Sequence, residues 1–538
     1  MVTLPPPPPS TWEGVRTEAM PAGHTRFTLA PGASFLRITV DNLRPAHLIT
    51  ARVRIRTTQA GQYVVIRLGD DAKRFTRATY YTHHVRTTTL GTSLIIEVTG
   101  IPTGVVEELT ITDDTPLPDN PRPCDVLSLQ AYYPLPGFFG LRWNNDRWDR
   151  ASWTRGVAKP WAMVWDSTPW DTRAWNVGET NVSQWQDITG PCTEIAVTRG
   201  VTTTGPAMAS AVGTLTARAI NALSPRATGL HHGTPVRLIH WPTRSLVFTG
   251  VITDLTITPH KPGSRIDYEV SLTASDNVAR LAAITRYGAK ADGGDGSESW
   301  AARLDRLIKS APELTYQVHD TATQTMAPIV WETSLARHLD ALMASVLGSW
   351  TVDRDGTVSI RVRRPRTPVL TLTDADASNL SARIWSYTDL NVAWSAADTI
   401  AHVTLANHGA KYDAEQGDWE ADDADTTVTD PTAANAWGGS AVQIDTTLPA
   451  RDVETVARRY LATTRTDPMP SSVSLVAAHD AGPADRAAHM AAAATLDPLS
   501  AVAVAWRGED APALITQVAH TITPTTWKST LTLTNNKQ

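Results

Sequence analysis

The sequence is poor in cysteine and lysine and contains no long apolar run. Its 538 residues include two cysteines, Cys124 and Cys192, and eight lysines. Two cysteines are too few for a disulfide scaffold, so stability must come from packing, and the sequence leaves open whether the two approach each other. No apolar run reaches the roughly 18 residues that a membrane-spanning helix needs.

The sequence also lacks targeting and nucleic-acid-binding signals. The start, MVTLPPPPPS, has neither the charged residues nor the apolar stretch of a signal peptide, so we expect assembly in a cytoplasm. A formal charge of -6 excludes a strongly basic surface that would grip nucleic acid. Forty of the 48 basic residues are arginine, which is typical of a GC-rich genome.

Signatures of catalysis and of metal binding are missing as well. The sequence contains no HExxH, GxSxG, Walker or CxxC motif, and it predicts neither an enzyme nor a cofactor. His231-His232 beside Gly233 fit a solvent-facing turn better than a metal site. Asp353 and Asp355 resemble the start of a calcium loop, but the later acidic ligand is missing, so a hairpin turn at Asp355-Gly356 is favoured.

Alternating polar and apolar residues dominate the first part of the chain. Segments such as HTRFTLAPGASFLRITV and HLITARVRIRT, between residues 24 and 112, are separated by short turn sequences. This pattern predicts an antiparallel β-sandwich or jelly roll. The proline-rich start predicts a stiff extended arm, and TPLPDNPRPC, residues 115 to 124, predicts a domain boundary.

The sandwich pattern looks like that of carbohydrate-binding modules, an architecture that hosts many functions. Aromatic rings and hydrogen-bonding groups suit sugar binding, and they predict a candidate carbohydrate contact at Tyr63, Tyr80, Tyr81 and His83, with His84 beside them. The alternative is that these rings alternate between core and surface along a strand.

Tryptophans recur after the boundary, many of them five residues apart: Trp143, Trp148, Trp153, Trp161, Trp165, Trp170, Trp175 and Trp185. Neither a helix nor a strand would place residues five apart on one face. We interpret them as anchors that pin an irregular connector against neighbouring domains or subunits. The alternative is a surface on which carbohydrate stacks. Such a surface would expose many indoles to solvent and make the protein prone to aggregation.

From Trp185 onward, strands mix with a few helices. Helices are predicted within ASDNVARLAAI, SWAARLDRLIKSA, TSLARHLDALMASVLGSW and ARDVETVARRYLATT. The acidic segment AEQGDWEADDADTTVTDPTAAN predicts an exposed loop, and the C-terminal residues predict a final sheet.

This region resembles tail hub proteins of long-tailed bacteriophages, also described as minor tail or tail-tip proteins. The cues, in order, are WQDITG, Arg199-Gly200 closing a strand, GTLT from Gly213, GTPVR from Gly233, FTG ending at Gly250, SLTASDNVARLA, GSWTVDRDGTVSIRVRR, DPTAANAWGG and ITQVAHTITPTTWKSTLTL. They cover about 350 residues. The tryptophan-rich run is similar to one found in some of these proteins from phages of actinobacteria.

The resemblance implies a mainly β chain with some helix (α+β), in which a multi-domain hub with two tail-tube-like β-barrels and helical insertions follows the N-terminal sandwich. The predicted domains are a proline-rich arm (1–20), the sandwich (21–116), the connector (117–184), a first hub barrel (185–285), a helix and hairpin insertion (286–380) and a second hub barrel with helices (381–538).

The resemblance also implies a role and partners. Three chains would form a ring at the virion tail tip that joins the tail tube to the adhesion apparatus and surrounds the DNA ejection channel. Implied partners are the distal tail protein, the tape measure protein and tail-tip or fibre proteins, with DNA only in transit and a host cell-wall glycan as a candidate ligand. A mildly acidic chain agrees with a channel that does not retain DNA. The alternative is a carbohydrate-active enzyme or a sugar-binding adhesion protein that uses the sandwich.

Overall fold

The computed structural model divides the chain into two compact units. One contains Met1–Asp119, Asp125–Gly190 and Ile239–Ser245, and the other contains Asn120–Cys124, Pro191–Leu238 and Leu246–Gln538. The structure describes residues 2–4, 6–40, 43, 48–57, 64–68, 71–75, 79–88, 94–113, 122–132, 185–189, 192–205, 207–222, 230–260, 267–287, 296–374, 384–393, 400–437, 440–463, 469–477, 483–506 and 508–536.

The described residues are mostly strand, as the sequence predicted. The strands are β1 (Val2–Leu4), β2 (Val15–Ala19), β3 (Thr25–Leu29), β4 (Phe35–Val40), β5 (Leu48–Arg56), β6 (Val64–Leu68), β7 (Asp71–Phe75), β8 (Tyr80–Thr88), β9 (Leu94–Thr99), β10 (Thr103–Asp113), β11 (Leu127–Tyr132), β12 (Trp185–Asp187), β13 (Cys192–Thr204), β14 (Ala207–Ala222), β15 (Pro235–His240), β16 (Ser245–His260), β17 (Asp267–Ser275), β18 (Thr285–Tyr287), β19 (Glu298–Ser299), β20 (Tyr316–Val318), β21 (Thr325–Met326), β22 (Glu332–Ser334), β23 (Ser349–Val352), β24 (Val358–Arg361), β25 (Leu370–Thr373), β26 (Ile384–Ser386), β27 (Asp389–Ala393), β28 (Ile400–Asn407), β29 (Ala410–Asp413), β30 (Asp418–Ala421), β31 (Ala424–Thr429), β32 (Ser440–Thr446), β33 (Met469–Ala477), β34 (Ala501–Trp506), β35 (Glu509–Ile522) and β36 (Trp527–Asn535).

Short helices interrupt the strands. They are α1 (Pro123–Val126), α2 (Asn277–Ala283), α3 (Trp300–Ile308), α4 (Leu335–Ala344), α5 (Pro431–Trp437), α6 (Ala450–Ala462) and α7 (Pro483–Ala493), with 3-10 turns at Pro9–Thr11 and Pro21–Gly23. Side chains cap four of them: Asp276, Ser299, Ser334 and Asp430 accept backbone N–H groups at the starts of α2, α3, α4 and α5. Each cap satisfies a backbone donor that the helix itself leaves without an acceptor. The helices predicted at α2, α3, α4 and α6 are confirmed.

The N-terminal residues form two sheets around one core. One sheet has the order β2-β3-β10-β5-β8 with β1 also on β10, and the other has the order β4-β9-β6-β7. Alternate residues of both sheets, among them Phe27, Val53 and Ile96, are fully buried in the same core cluster. Residues 1–20 were predicted as a separate arm, but Val2–Leu4 and Val15–Ala19 pair within the first sheet.

One long sheet organises the second unit. Its strand order includes β16-β17-β14-β13-β35-β34-β25-β26, and a branch runs from β35 through β36 and β33 to β27. One edge of β35 pairs with two different strands. Glu509–Leu514 pair with β34, whereas Gln517–Ile522 pair with β13. The first and last parts of the hub-like sequence therefore share one sheet.

The two closed barrels implied by the resemblance are not confirmed. Among the described strands the sheet is open and no barrel closes. The physical reason lies in β35, because its second half pairs with β13 of the first predicted barrel. Through this pairing β35 joins the two predicted barrels into one sheet.

Helices and small sheets build a second core in this unit. Trp300, Leu339, Trp350 and Tyr460, from α3, α4, β23 and α6, are buried in one cluster. The hairpin turn predicted at Asp355-Gly356 is confirmed, because β23 and β24 pair antiparallel and Gly356 has φ of 88°. That left-handed conformation favours glycine.

Two segments of this unit differ from the sequence prediction. The acidic segment predicted as a loop contains β30 and β31, and β31 pairs with β28 along its length. Only Val428 of β31 is buried, and its other residues are polar or small, so the strand lacks the alternation of apolar and polar residues that predicts a strand. The sequence did not predict helix α7, because its buried face consists of Arg486 and small alanines beside Met490. Two signals for a helix were present, namely a proline at its start and a run of alanines.

Candidate functional site

The outward face of the sandwich's first sheet carries polar side chains in registered rows. On β5, Arg52 lies opposite Thr110 of β10 and His84 of β8, and Arg54 lies opposite Glu108 and Thr82. The intervening residues of β5 are apolar and fully buried. Strand alternation therefore places Arg52, Arg54 and Arg56 in a line, with about 7 Å between neighbours.

A β-bulge alters the charge of this face. The register of β10 against β5 shifts between Val106 and Glu108, so Glu107 is the extra residue. Both glutamates then reach the arginines: the Arg52 Nε lies 3.2 Å from Glu108 Oε1, and the Arg56 Nε lies 2.8 Å from Glu107 Oε1. Arg54 shares Glu107 at 3.4 Å. Three guanidinium groups thus meet two carboxylates.

A groove of about 430 Å³ lies on this face. Its lining consists of Thr50, Arg52, Thr82, His84, Thr110 and Thr112. Four hydroxyl groups, one guanidinium and one imidazole therefore surround a single depression, which suits a polar ligand. The sequence carried a signal for it, because the alternation in ARVRIR places its arginines on one face.

The structure separates the residues predicted to contact carbohydrate. Tyr80 is 47% exposed on the outward face, whereas Tyr81 and His83 are buried in the sandwich, where the Tyr81 ring packs edge-on against Phe75. Tyr63 lies outside the described residues. The alternation between core and surface that the sequence left open therefore holds for Tyr80 to His84, and His84 joins Arg52 in the groove.

Most of the predicted tryptophan anchors lie outside the described residues. These are Trp143, Trp148, Trp153, Trp161, Trp165, Trp170 and Trp175. Trp185 is described: it opens β12, and its ring lies edge-on to Tyr132 of β11, with centroids 5.3 Å apart. The two strands pair, although residues 117–184 were predicted as an irregular connector.

Side chains of the WQDIT cue fix these two strands together. The Ser128 hydroxyl donates to Asp187 Oδ2 at 2.7 Å, and the Leu129 N–H donates to the Thr189 hydroxyl at 2.6 Å. The Thr189 N–H donates in turn to Asp187 Oδ1 at 2.8 Å. Ser128 is 1% exposed, so Asp187 satisfies a hydroxyl that is removed from water.

A buried charged cluster occupies the second unit where β13 meets the C-terminal segment. Arg199, 2% exposed, donates from Nη1 to Asp497 Oδ1 at 2.8 Å and from Nη2 to the Leu496 carbonyl at 2.7 Å. Arg354 also contacts Asp497 and donates to the Thr495 carbonyl. No local sequence pattern predicts this cluster, because its members are far apart in the chain.

Asp276 lies beside this cluster. Burial raises its pKa to about 7, although hydrogen bonds from Val278 and Gly213 and the nearby Arg199 charge act in the opposite direction. A Cβ atom on Gly213 would lie 2.3 Å from Asp276 Oδ2, and one on Gly200 would lie 2.3 Å from the Thr516 carbonyl oxygen. The glycines of two hub-like cues are therefore required by close packing.

A second titratable cluster surrounds His408. Its ring stacks on Trp331 with centroids 3.8 Å apart, its Nε2 lies 3.3 Å from Asp445 Oδ1, and its Nδ1 lies 3.5 Å from Asp423 Oδ1. Burial alone would lower the His408 pKa, but the two carboxylates outweigh burial and raise it. Arg337 also pairs with Asp445 at 2.8 Å.

Other candidate sites from the sequence remain ordinary surface features. His231 and His232 are exposed, and the His231 ring bonds to the His232 carbonyl oxygen. Across the described ranges, no group of three histidine, cysteine or acidic residues is placed to hold a metal ion. Cys124 and Cys192 are both half-buried, and no disulfide joins them.

Comparison with known proteins found similarity only among solved structures. No family model matches the chain, and no curated protein matches it. A tail protein from Neisseria meningitidis is 12% identical, with 65% of this chain and 93% of that chain covered and a TM-score of 0.42. A prophage tail protein from Shewanella oneidensis is 14% identical, covers 65% and 95%, and has a TM-score of 0.41.

A separate set of similar structures covers a smaller share of the chain. One is the C-terminal carbohydrate-binding module of a laminarinase from Zobellia galactanivorans, which is 10% identical, with 19% of this chain and 90% of that chain covered and a TM-score of 0.15. At such identities no residue of these proteins defines the role of a residue here. Within the part of the chain that the structure describes, no helix has the length and apolar character needed to cross a membrane.

Proposed function

We propose that the chain is a structural, non-enzymatic subunit of a bacteriophage tail tip or baseplate, where three copies form a hub ring around the DNA ejection channel. The ring would join the tail tube to the adhesion apparatus and would contact the distal tail protein, the tape measure protein and tail-tip or fibre proteins. An actinobacterial host stays a prediction from the resemblance of the tryptophan-rich run, with which the arginine-rich composition is consistent.

One observation carries this proposal. The residues that make the sequence resemble tail hubs lie at the places that hold the second unit together: Arg199 in the buried cluster, Gly200 and Gly213 at close backbone contacts. Through β13 and β35 they hold sequence-distant segments in one continuous sheet. A continuous, tightly packed sheet suits a subunit that must keep its shape within a larger assembly.

The mass of the purified chain tests the ring. Light scattering should give about three times 58.2 kDa, and averaged electron-microscope images of the same peak should show threefold symmetry with a central hole. A mass of one chain at every concentration, with images that lack a hole, would count against a self-assembling hub.

A second function, glycan binding by the N-terminal sandwich, is favoured by the groove on its outward face. Four threonine hydroxyls, Arg52 and His84 line one depression and offer donors and acceptors for a polyhydroxylated ligand. In a tail-tip protein such a site would contact the host cell wall. Retention of the full-length chain on immobilised cell-wall polysaccharide tests this role, and no retention on any polysaccharide would contradict it.

A further inference from the structure

We infer that the groove on the sandwich's outward face binds a glycan or polyol polymer that carries anionic groups, either phosphate or carboxylate. This inference rests on the proposed glycan-binding function and specifies the chemical class of its ligand. It differs from the tyrosine and histidine site expected from the sequence, because Tyr81 and His83 lie in the core.

The lining of the groove argues against stacking on a neutral sugar. Among the described residues that line it, none carries a phenol or indole ring. The exposed Tyr80 lies further along β8, and the Arg54 guanidinium lies over its ring, 4.9 Å from the centroid. One face of that ring is therefore already in contact with a cation, so the broad apolar contact that an aromatic platform offers is reduced.

The charge of the groove favours an anion. Arg52 and His84 are direct cross-strand neighbours within the lining. Arg52 is half-exposed and meets Glu108 through its Nε, whereas a guanidinium has five N–H donors in total. Phosphate and carboxylate oxygens match a guanidinium well, since hydrogen bonds between charged groups are shorter and stronger than neutral ones.

The threonine hydroxyl groups of the groove indicate which neutral groups the ligand carries beside its anion. Thr50 and Thr112 are cross-strand neighbours at one end of the groove, Thr110 flanks Arg52, and Thr82 lies beside Arg54. The Thr112 hydroxyl donates to the Thr50 carbonyl and keeps its acceptor lone pairs, and the hydroxyls of Thr82 and Thr110 can donate or accept, which suits the alcohol groups of a sugar or polyol beside the anion. The three arginines, with neighbours about 7 Å apart, face only two carboxylates, so an excess of positive charge remains along the path that an extended anionic polymer would follow.

The test measures binding of the full-length chain to immobilised polymers by biolayer interferometry. The probes are poly(glycerol phosphate), polygalacturonate and dextran, which carry phosphate, carboxylate and no charge. The chain should bind at least one anionic polymer and should not bind dextran. Binding of the phosphate polymer alone identifies phosphodiester groups as the ligand, and binding of polygalacturonate alone identifies carboxylates.

Three variants connect binding to the groove. Arg52→Gln should weaken binding about tenfold or more, because a charge-assisted hydrogen bond is lost, and His84→Gln should weaken it in the same direction. Glu108→Gln should strengthen binding, because it removes the carboxylate that competes for Arg52. The matched control is Arg67→Gln: Arg67 is an exposed arginine on β6 in the other sheet of the sandwich, and its removal should leave binding unchanged.

Two results would overturn the inference, and they differ in what they say about the proposed function. Equal binding of dextran, unaffected by Arg52→Gln and Glu108→Gln, would leave glycan binding in place and reject an anionic ligand. No binding of any polymer would reject both the anionic ligand and glycan binding by the groove, while the hub proposal would be judged separately by the oligomer mass.

Discussion

Arg199 and Asp497 are 298 residues apart in sequence, yet the Arg199 Nη1 lies 2.8 Å from Asp497 Oδ1. The arginine is on β13, at the start of the hub-like region, and the aspartate lies just before β34 near its end. The same arginine also bonds to the Leu496 carbonyl. This pair therefore connects a segment near the start of the hub-like region with one near its end.

Replacing Arg199 with methionine should destabilise the second unit strongly. The change leaves Asp497 with Arg354 as its remaining cation and removes a buried partner, which typically costs about 3 to 5 kcal/mol. Urea unfolding followed by tryptophan fluorescence measures the loss. Arg218→Met is the matched control, because Arg218 forms an exposed pair with Glu269 on neighbouring strands and should change the unfolding midpoint little. Equal effects of the two variants would argue against a structural role for the buried pair.

Asp276 should make stability fall as pH rises from about 4 to about 7. Its folded-state pKa is raised to about 7 from the ordinary value of 3.8, so the folded chain binds the proton more tightly than the unfolded chain does. Ionisation in this interval therefore favours unfolding. Asp276→Asn should flatten this part of the stability curve, because asparagine keeps a capping oxygen for α2 without titrating. An unchanged slope, measured by urea unfolding at each pH, would contradict the assignment.

His408 should act in the same sense, but at higher pH. Its pKa is raised by Asp445 and Asp423 despite burial, so its contribution to stability is complete below the usual histidine range and is lost as pH rises through the folded-state value. The titration of its ring, followed by NMR and assigned with His408→Gln, should have a midpoint above the ordinary pKa of about 6.5. Asp423→Asn should move that midpoint down. A midpoint below 6.5 in the native chain would show that burial outweighs the carboxylates.

Asp187→Ala should loosen the pair formed by β11 and β12. It removes the acceptor for the buried Ser128 hydroxyl and for the Thr189 N–H, with an expected cost of about 1 to 3 kcal/mol. Asp187→Asn keeps one carbonyl oxygen and should cost less. Hydrogen exchange at Gln130 and Ala131 reports the opening of these strands, and identical exchange in both variants and the native chain would contradict the prediction.

Local patterns predicted the elements whose signals lie close together in sequence. Helix α4 follows from Ser334 as its cap and from the buried spacing of Leu335, Leu339 and Leu342. Alternation along β8 places Tyr80 on the surface and Tyr81 in the core, which is one of the two alternatives that the sequence left open. The sequence did not predict the acidic strand β31 or the alanine-rich helix α7, because few large apolar residues mark their buried faces.

Long-range pairing decided the remaining features. No local signal indicates that β35 meets β13, and this pairing replaces two predicted barrels with one open sheet among the described strands. The groove likewise needs residues from β5, β8 and β10, so the sequence supplied the arginine line but not Thr110 or Thr112 beside it. Cross-strand neighbours are fixed by register, which a single sequence specifies only weakly.

Location of the chain within the virion tests the central claim most directly. If the proposal holds, gold-labelled antibody raised against the purified chain should bind phage particles that contain it at the tail end distal to the head. Pre-absorption of the antibody with the same chain should abolish the label. Label on the head or along the tail tube, or the chain in the lysate but absent from purified particles, would contradict a tail-tip hub.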